Sequence, residues 1–277
     1  MKNIDCEIDR ICEFIRDNVS KTKSDGVIIA LSGGLDSAIV AALSTKAIGK
    51  ENVHCYFLRY NFGKSDIDKL HTEALCNKFG LTYEENQVVS QSSKTSFFNR
   101  MIQRVTDTLN TFLVNIDYLH MILGNIDAKM RTGYLSKKAH EQNCLLLGTT
   151  NHSEQLIGYF TTFDEYDCDL QPILHLYKTE IVEMAKHLGI PNEIINRTPS
   201  ADLWYGHINE KGLTYQKLDK ILIELDKTNI DTLDCEIDDA TKEEVFRMMT
   251  KAKQKYAGSF PPCLEKFNVF NEVLYER

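Results

Sequence analysis

The sequence predicts an α/β fold: an open parallel sheet with helices on both faces. Three observations carry that reading. Short apolar runs at 27–31, 53–58 and 144–148, with a further strand near 82–88, alternate with longer segments of helical spacing. The segments 37–47 and 64–79 are long enough to be crossover helices, which makes the strands they join parallel. Gly33-Gly34 follows the first run directly, and open α/β sheets bind their ligands at such carboxyl ends of strands.

Taken in order, Ile4, Ile8, Ile11, Cys12, Phe14, Ile15 and Val19 recur at helical spacing and predict an amphipathic opening helix over 4–20. Residues 86–143 read as a mainly helical insertion, with helices over 96–109 and 124–139. Its stripe of Phe97, Met101, Ile102, Val105 and Leu109 suits either the core or a dimer interface. Beyond 158, long loops are punctuated by Pro172, Pro191 and Pro199, with helices expected over 178–188, 215–225 and 241–256. The loops 159–171 and 202–214 lack regular patterning and are candidates for lids. A length of 277 residues fits one domain spanning 1–277, with a final helix and tail over 241–277.

Composition narrows the function. Asp and Glu number 40 against 32 Lys and Arg, a net charge of −8, which argues against nucleic acid or an anionic membrane surface as partner. The eight cysteines include no Cys-x-x-Cys and no metal-like pairing with histidine, as expected of reduced thiols that mostly pack. No apolar run approaches the ~18 residues of a membrane span, so a soluble, cytoplasmic protein is expected.

The chemistry concentrates in Leu31-Ser32-Gly33-Gly34-Leu35-Asp36-Ser37, a glycine turn between a buried strand and a helix. Backbone N–H groups of Gly33, Gly34 and Leu35 can cradle a phosphate there, and Asp36 can hold the magnesium that accompanies it. The plainer alternative is a tight turn whose glycines only relieve steric crowding. No Gly-Lys-Ser/Thr follows, and the spacing is not Gly-x-Gly-x-x-Gly, so neither common nucleotide loop applies. A second strand-turn-helix unit, 144–154, places Thr149 and Glu154 on the same rim. Glu154 then reads either as a second magnesium ligand opposite Asp36 or as a helix-capping glutamate.

Ser-Gly-Gly-x-Asp-Ser resembles the pyrophosphate loop of the N-type ATP pyrophosphatases. Further segments resemble one member group, the ammonia-dependent NAD synthetases. These include Gly124-Asn125-Ile126-Asp127-Ala128-Lys129-Met130-Arg131, Gly148 to Glu154, Gly158-Tyr159-Phe160-Thr161 and Asp169-Leu170-Gln171-Pro172-Ile173. Leu176-Tyr177-Lys178-Thr179-Glu180, Leu188-Gly189-Ile190-Pro191 and Pro199-Ser200-Ala201-Asp202-Leu203-Trp204 continue the match, which covers roughly residues 27 to 216.

The resemblance implies a Rossmann-like, adenine nucleotide alpha hydrolase-like fold and an AMP-producing ligase. It implies that Leu31 to Ser37, Thr149, Lys178 and Ser200 bind ATP and that Asp36 and Glu154 hold Mg2+. It places Asp36, Glu154, Lys178 and Ser200 in catalysis, and Lys129, Arg131 and Asp169 on nicotinic acid adenine dinucleotide. Ammonia, free or from a separate glutaminase subunit, is the implied nitrogen source, and a homodimer the implied assembly. On the acceptor side, Thr162 stands where the family often has lysine, Asp164-Glu165-Tyr166-Asp167 replaces a glycine-rich loop, the 205–214 loop is short, and the usual basic pair before Pro261 is absent. Two alternatives therefore stay open: an adenylating amidoligase for another carboxylate, and a non-catalytic ATP-binding module.

Overall fold

Among the described residues, four parallel strands form the sheet that the sequence predicts: β1 (Gly26–Ala30), β2 (Val53–Arg59), β3 (Tyr83–Gln87) and β4 (Cys144–Leu147), in the order β3-β2-β1-β4. The computed structural model describes residues 3–59, 66–87, 116–160, 168–197, 213–227, 238–255 and 261–264. The helix expected over 96–109, Thr162, residues 164–167, most of the 202–214 loop and Ser200 lie outside them.

Side chains alternate across each strand, so the central strands need apolar residues on both faces. Val27, Ile29, Val53, Cys55, Leu145 and Leu147 point into one core. There they meet α1 (Ile4–Thr22), α2 (Leu35–Ile48), α3 (Asp66–Phe79) and α6 (Lys178–Leu188). Ile28, Tyr56, Leu58, Cys144 and Leu146 face the other way, onto Leu135 and Ala139 of α4 (Ile116–Glu141). Both faces are thus covered, as expected.

Local chemistry explains the helix ends that matter. Asn3 caps α1 by accepting the Cys6 N–H at 3.1 Å, and Ile8, Ile11, Cys12 and Ile15 form its buried stripe. The central helix α2 is apolar around its whole circumference from Ala38 to Leu43, because α1, α6 and the sheet enclose it. After β4 come α5 (His152–Ile157), α6, the short α7 (Asn192–Ile195), α8 (Tyr215–Lys227) and α9 (Asp239–Lys255). A second apolar cluster joins α5, α8 and α9 through Ile157, Leu218, Ile221, Leu222 and Val245. Among the described residues every cysteine is free, and no helix is long and apolar enough to cross a membrane.

His175, in the turn before α6, pins the opening helix to this scaffold: its Nε2 lies 2.7 Å from Glu7 Oε1, and its ring is buried. Burial pulls its imidazolium below the ordinary histidine value of 6.5, Arg10 adds to the depression, and Glu7 and Glu180 oppose it. The folded chain therefore binds this proton less readily than the unfolded chain. The stability linked to His175 is complete above 6.5 and is lost as pH falls through the lowered folded value. A His175→Gln variant is expected to lose less thermal stability than the parent between about pH 7 and about pH 5. Parallel losses in the two proteins would show that another group is titrating.

Candidate active site

The loops after β1 and β4 leave the same edge of the sheet, since the two strands run parallel with Ile29 opposite Leu147. After β1, two serines hold the glycine turn. Ser37 Oγ accepts the Ser32 N–H at 3.2 Å and donates to Gly34 O at 3.1 Å, while Ser32 Oγ accepts the Gly34 N–H at 3.2 Å. Gly34 is the N-cap of α2 and brings no side-chain cap. Leu35, Asp36 and Ser37 thus open the helix with N–H groups that have no intrahelical acceptor, the arrangement that receives a phosphate. Of the N–H groups expected in the cradle, that of Gly34 is engaged by Ser32 Oγ and that of Leu35 opens α2.

The carbonyl side of the turn is fastened from elsewhere. Gly33 O accepts from Arg197 Nη1 at 3.3 Å and lies 3.2 Å from His71 Nδ1, and Arg197 also pairs with the buried Asp68 of α3. Gly33 has φ +76°, and a methyl group on it would stand 2.6 Å from Asp68 O and 2.7 Å from Asp68 Cα. Both distances are far inside van der Waals contact. Gly33→Ala is expected to destabilise the chain by at least ~1–3 kcal/mol, from the left-handed backbone alone, with the clash added. An unchanged denaturation midpoint would show that the turn can move off α3.

On the β4 side, Asn151 and Glu154 form a capping box at the start of α5. Asn151 Oδ1 accepts the Glu154 N–H at 3.0 Å, and Glu154 Oε2 accepts the Asn151 N–H at 3.4 Å. The two readings of Glu154 are therefore compatible, because one carboxylate oxygen caps the helix while the other faces the site. Asn151 also donates from Nδ2 to Asp36 Oδ1 at 3.0 Å, tying the two loops together. Thr149 is half-buried on the same rim.

Lys178 joins the two acids. It is the first residue of α6 and only 5 % exposed, it hydrogen-bonds Asp36 Oδ2, and its Nζ lies 3.8 Å from Glu154 Oε1. Burial works against the ammonium, but Asp36 and Glu154 outweigh it and hold Lys178 above the ordinary lysine value. Burial first, then the Asp36 charge, pushes Glu154 up to about 7, against the pull of Lys178. Tyr215, at the start of α8, roofs the group. Its ring centroid lies 5.4 Å from Lys178 Nζ and its hydroxyl 3.5 Å from Glu154 Oε1.

The residues expected on the acceptor are more dispersed. Arg131 lies ten residues before the end of α4, a distance of about 15 Å along the helix, and α4 leads into β4 at the opposite edge of the sheet. On α4, the helix that covers the sheet face opposite α2, Lys129 is exposed and Arg131 half-buried. Asp169 is exposed and has a structural contact: its Oδ2 accepts the Leu146 N–H at 2.8 Å on the outer edge of β4. Asn151, Ser153, Tyr215 and Asp219 complete the surroundings of Lys178 and were not expected. Only the Asn151 position in the strand-turn-helix unit, a natural N-cap three residues before a glutamate, was open to detection.

A family model described as NAD synthase matches residues 7–258. The ammonia-dependent NAD+ synthetase of Thermococcus sibiricus is 38% identical over 222 residues, which cover 79% of this chain and 80% of that protein. The enzyme of the same name from Fusobacterium nucleatum is 33% identical over 251 residues, covering 88% of this chain and 90% of that one. Among solved structures, an ammonia-dependent NAD synthetase from Campylobacter jejuni superposes with a TM-score of 0.69 at 28% identity, over 95% of this chain and 99% of that one. With a glycine turn opening a helix, two acids and a buried lysine on one rim of a parallel sheet, and with this similarity along nearly its whole length, the chain belongs to the NAD synthase family.

Proposed function

We propose that the chain amidates nicotinic acid adenine dinucleotide to NAD, with ATP and ammonia as co-substrates and AMP and pyrophosphate as products. Membership of the NAD synthase family makes it a ligase that forms NAD. The convergence of Asp36, Glu154 and Lys178 beside the N-terminus of α2 supports the details.

A carboxylate resists attack by ammonia, so it must first be given a leaving group. The substrate carboxylate oxygen attacks the α-phosphorus of ATP, the bond from that phosphorus to the bridging oxygen breaks, and pyrophosphate departs with its electron pair. The N–H groups that open α2 and the Lys178 ammonium receive the charge that develops on this leaving group. Ammonia then adds to the acyl carbon of the adenylate, AMP leaves, and the nitrogen releases its extra proton to solvent. Asn151, bonded to both loops, keeps the two halves of the site in register. Ser200, near the acyl carbon by family resemblance, would orient the ammonia. Lys129, Arg131 and Asp169 are proposed to hold the dinucleotide.

Magnesium fits the donor set. Asp36 and Glu154 offer hard carboxylate oxygens, and the described residues contain no cluster of three His, Cys, Asp or Glu side chains able to hold a metal alone. That suits an ion shared between one or two carboxylates and substrate phosphates. Bound there, it would neutralise phosphate charge and help align the triphosphate.

Pyrophosphate release tests the reading. It is expected to require ATP, nicotinic acid adenine dinucleotide and magnesium together, with NAD appearing only when ammonium is added. Release with another carboxylate but not with the dinucleotide would overturn the acceptor, and thermal stabilisation by ATP without release under any condition would overturn catalysis. A homodimer, supported by family resemblance, is proposed as the assembly, and a monomer in sedimentation at micromolar concentration would refute it.

A further inference from the structure

We infer that Asp219 is a positioning residue for the reaction, setting Lys178 and Glu154 in place through the N-termini of their two helices. Asp219 lies on α8, one turn beyond Tyr215, and is 1 % exposed. Its Oδ1 accepts the Ser153 hydroxyl at 2.6 Å, and its Oδ2 accepts the Thr179 N–H at 2.8 Å. Ser153 Oγ in turn accepts the Lys178 N–H at 2.9 Å. Ser153 immediately precedes Glu154, and Thr179 immediately follows Lys178.

One carboxylate therefore grips both short stretches of backbone from which the acid and the ammonium project. Each helix begins with N–H groups that have no intrahelical acceptor. Here those of Lys178 and Thr179 are satisfied by the Ser153–Asp219 pair rather than by a capping side chain of α6 itself. The His152 N–H, bonded to Leu176 O at 2.8 Å, adds a direct link between the two helix starts. A buried carboxylate costs stability unless its acceptor sites are filled, and both oxygens are filled here by groups of α5 and α6. Such a group fixes orientation more than it adds cohesion, because an apolar residue of similar size would satisfy the packing without the desolvation.

Asp219 does not touch the reacting atoms on this geometry, so it acts through Lys178 and Glu154. Loss of the carboxylate leaves the phosphate-receiving turn after β1 intact, since neither oxygen contacts that loop. Turnover should therefore suffer while ATP capture is retained. An asparagine can keep both links: its amide oxygen accepts from Thr179, and its amide nitrogen donates to Ser153 Oγ with the serine hydroxyl reversed.

The inference rests on Lys178 serving the ATP-dependent step, and the test separates the two ideas. Steady-state pyrophosphate release would be measured for the parent, Asp219→Ala and Asp219→Asn with ATP and the dinucleotide, alongside thermal midpoints. In parallel, amine labelling by acetic anhydride would be read by mass spectrometry as the ratio of Lys178 to the exposed Lys46. For Asp219→Ala, kcat is expected to fall about 10–100-fold, the scale of lost supporting contacts around a site, with the KM for ATP within about threefold and a raised Lys178 labelling ratio. Asp219→Asn is expected to recover most of the turnover and the parental labelling ratio. Unchanged kcat and labelling in Asp219→Ala would overturn the positioning role, as would a lowered midpoint in both variants with turnover per folded molecule unaltered. If the parent itself releases no pyrophosphate, the proposed function fails, and the labelling ratio alone then decides whether Asp219 sets Lys178.

Discussion

Asp36→Asn is expected to lower pyrophosphate release by about a thousandfold, the combined scale of losing the proposed metal ligand and an electrostatic partner, while the fold persists. Asp36 connects three groups: Asn151 donates to it, Lys178 pairs with it, and Glu154 is pushed toward its neutral form by its charge. Asparagine keeps the shape and an acceptor for Asn151, and leaves Lys178 paired with Glu154. Asp36→Ala differs. The structure places Asp36 against an ammonium that is almost fully buried. Removing one member of such a pair costs about 3–5 kcal/mol, with Glu154 holding the value toward the lower end. The measurement is kcat beside a urea midpoint for each variant. If Asp36→Asn retains a tenth of the parental rate, Asp36 leaves the mechanism.

Lys178→Met is expected to be nearly as damaging, with kcat down about 100–1000-fold, the scale of removing one preorganised charge-stabilising group. Its effect on stability carries a pH signature. With the ammonium gone, Glu154 loses the one charge that lowers its proton affinity, while burial and Asp36 continue to raise it. An acid whose folded value is raised takes up protons on folding, so it destabilises the fold as pH rises through the unfolded value toward the folded one. The variant should therefore lose stability relative to the parent between about pH 5 and about pH 8. A difference that stays constant across that window would show that Lys178 does not hold down the proton affinity of Glu154.

Local chemistry made the reaction side of this protein readable. Strand, glycine turn, carboxylate and hydroxyl are contiguous at 31–37, so a phosphate-receiving helix start follows from the order of residues. Glu154 is legible in the same way, because Asn151 and Glu154 have the spacing of a capping box. β1, β2 and β4 were legible because a buried parallel strand is a short apolar run, whereas the polar edge strand β3 was legible only as the next step in the strand-helix alternation. The helix expected over 37–47 is found over 35–48, within two residues at each end, although it is enclosed on every side and carries no polar stripe. Lys178 was legible by family resemblance, with one local sign: a cation at a helix start stands at the end that disfavours it.

Tertiary structure alone decided how these parts act together. Asp36 and Lys178 are 142 positions apart, and Ser153 and Asp219 are 66 apart. No periodicity in the chain reports such contacts. Asp219 itself sits on an amphipathic helix at a position that reads as an ordinary polar residue, yet folding buries it against two helix starts. Sequence by itself determined the α/β class and the strand-turn-helix geometry at 31–37 and 144–154, because short-range backbone geometry and hydrophobic period suffice for those. The pairing of a buried ammonium with two carboxylates, and the carboxylate behind them that holds their helices, was decided only by the packing of α5, α6 and α8. Electrostatic energy depends on distance and burial, and both are set when the chain closes on itself.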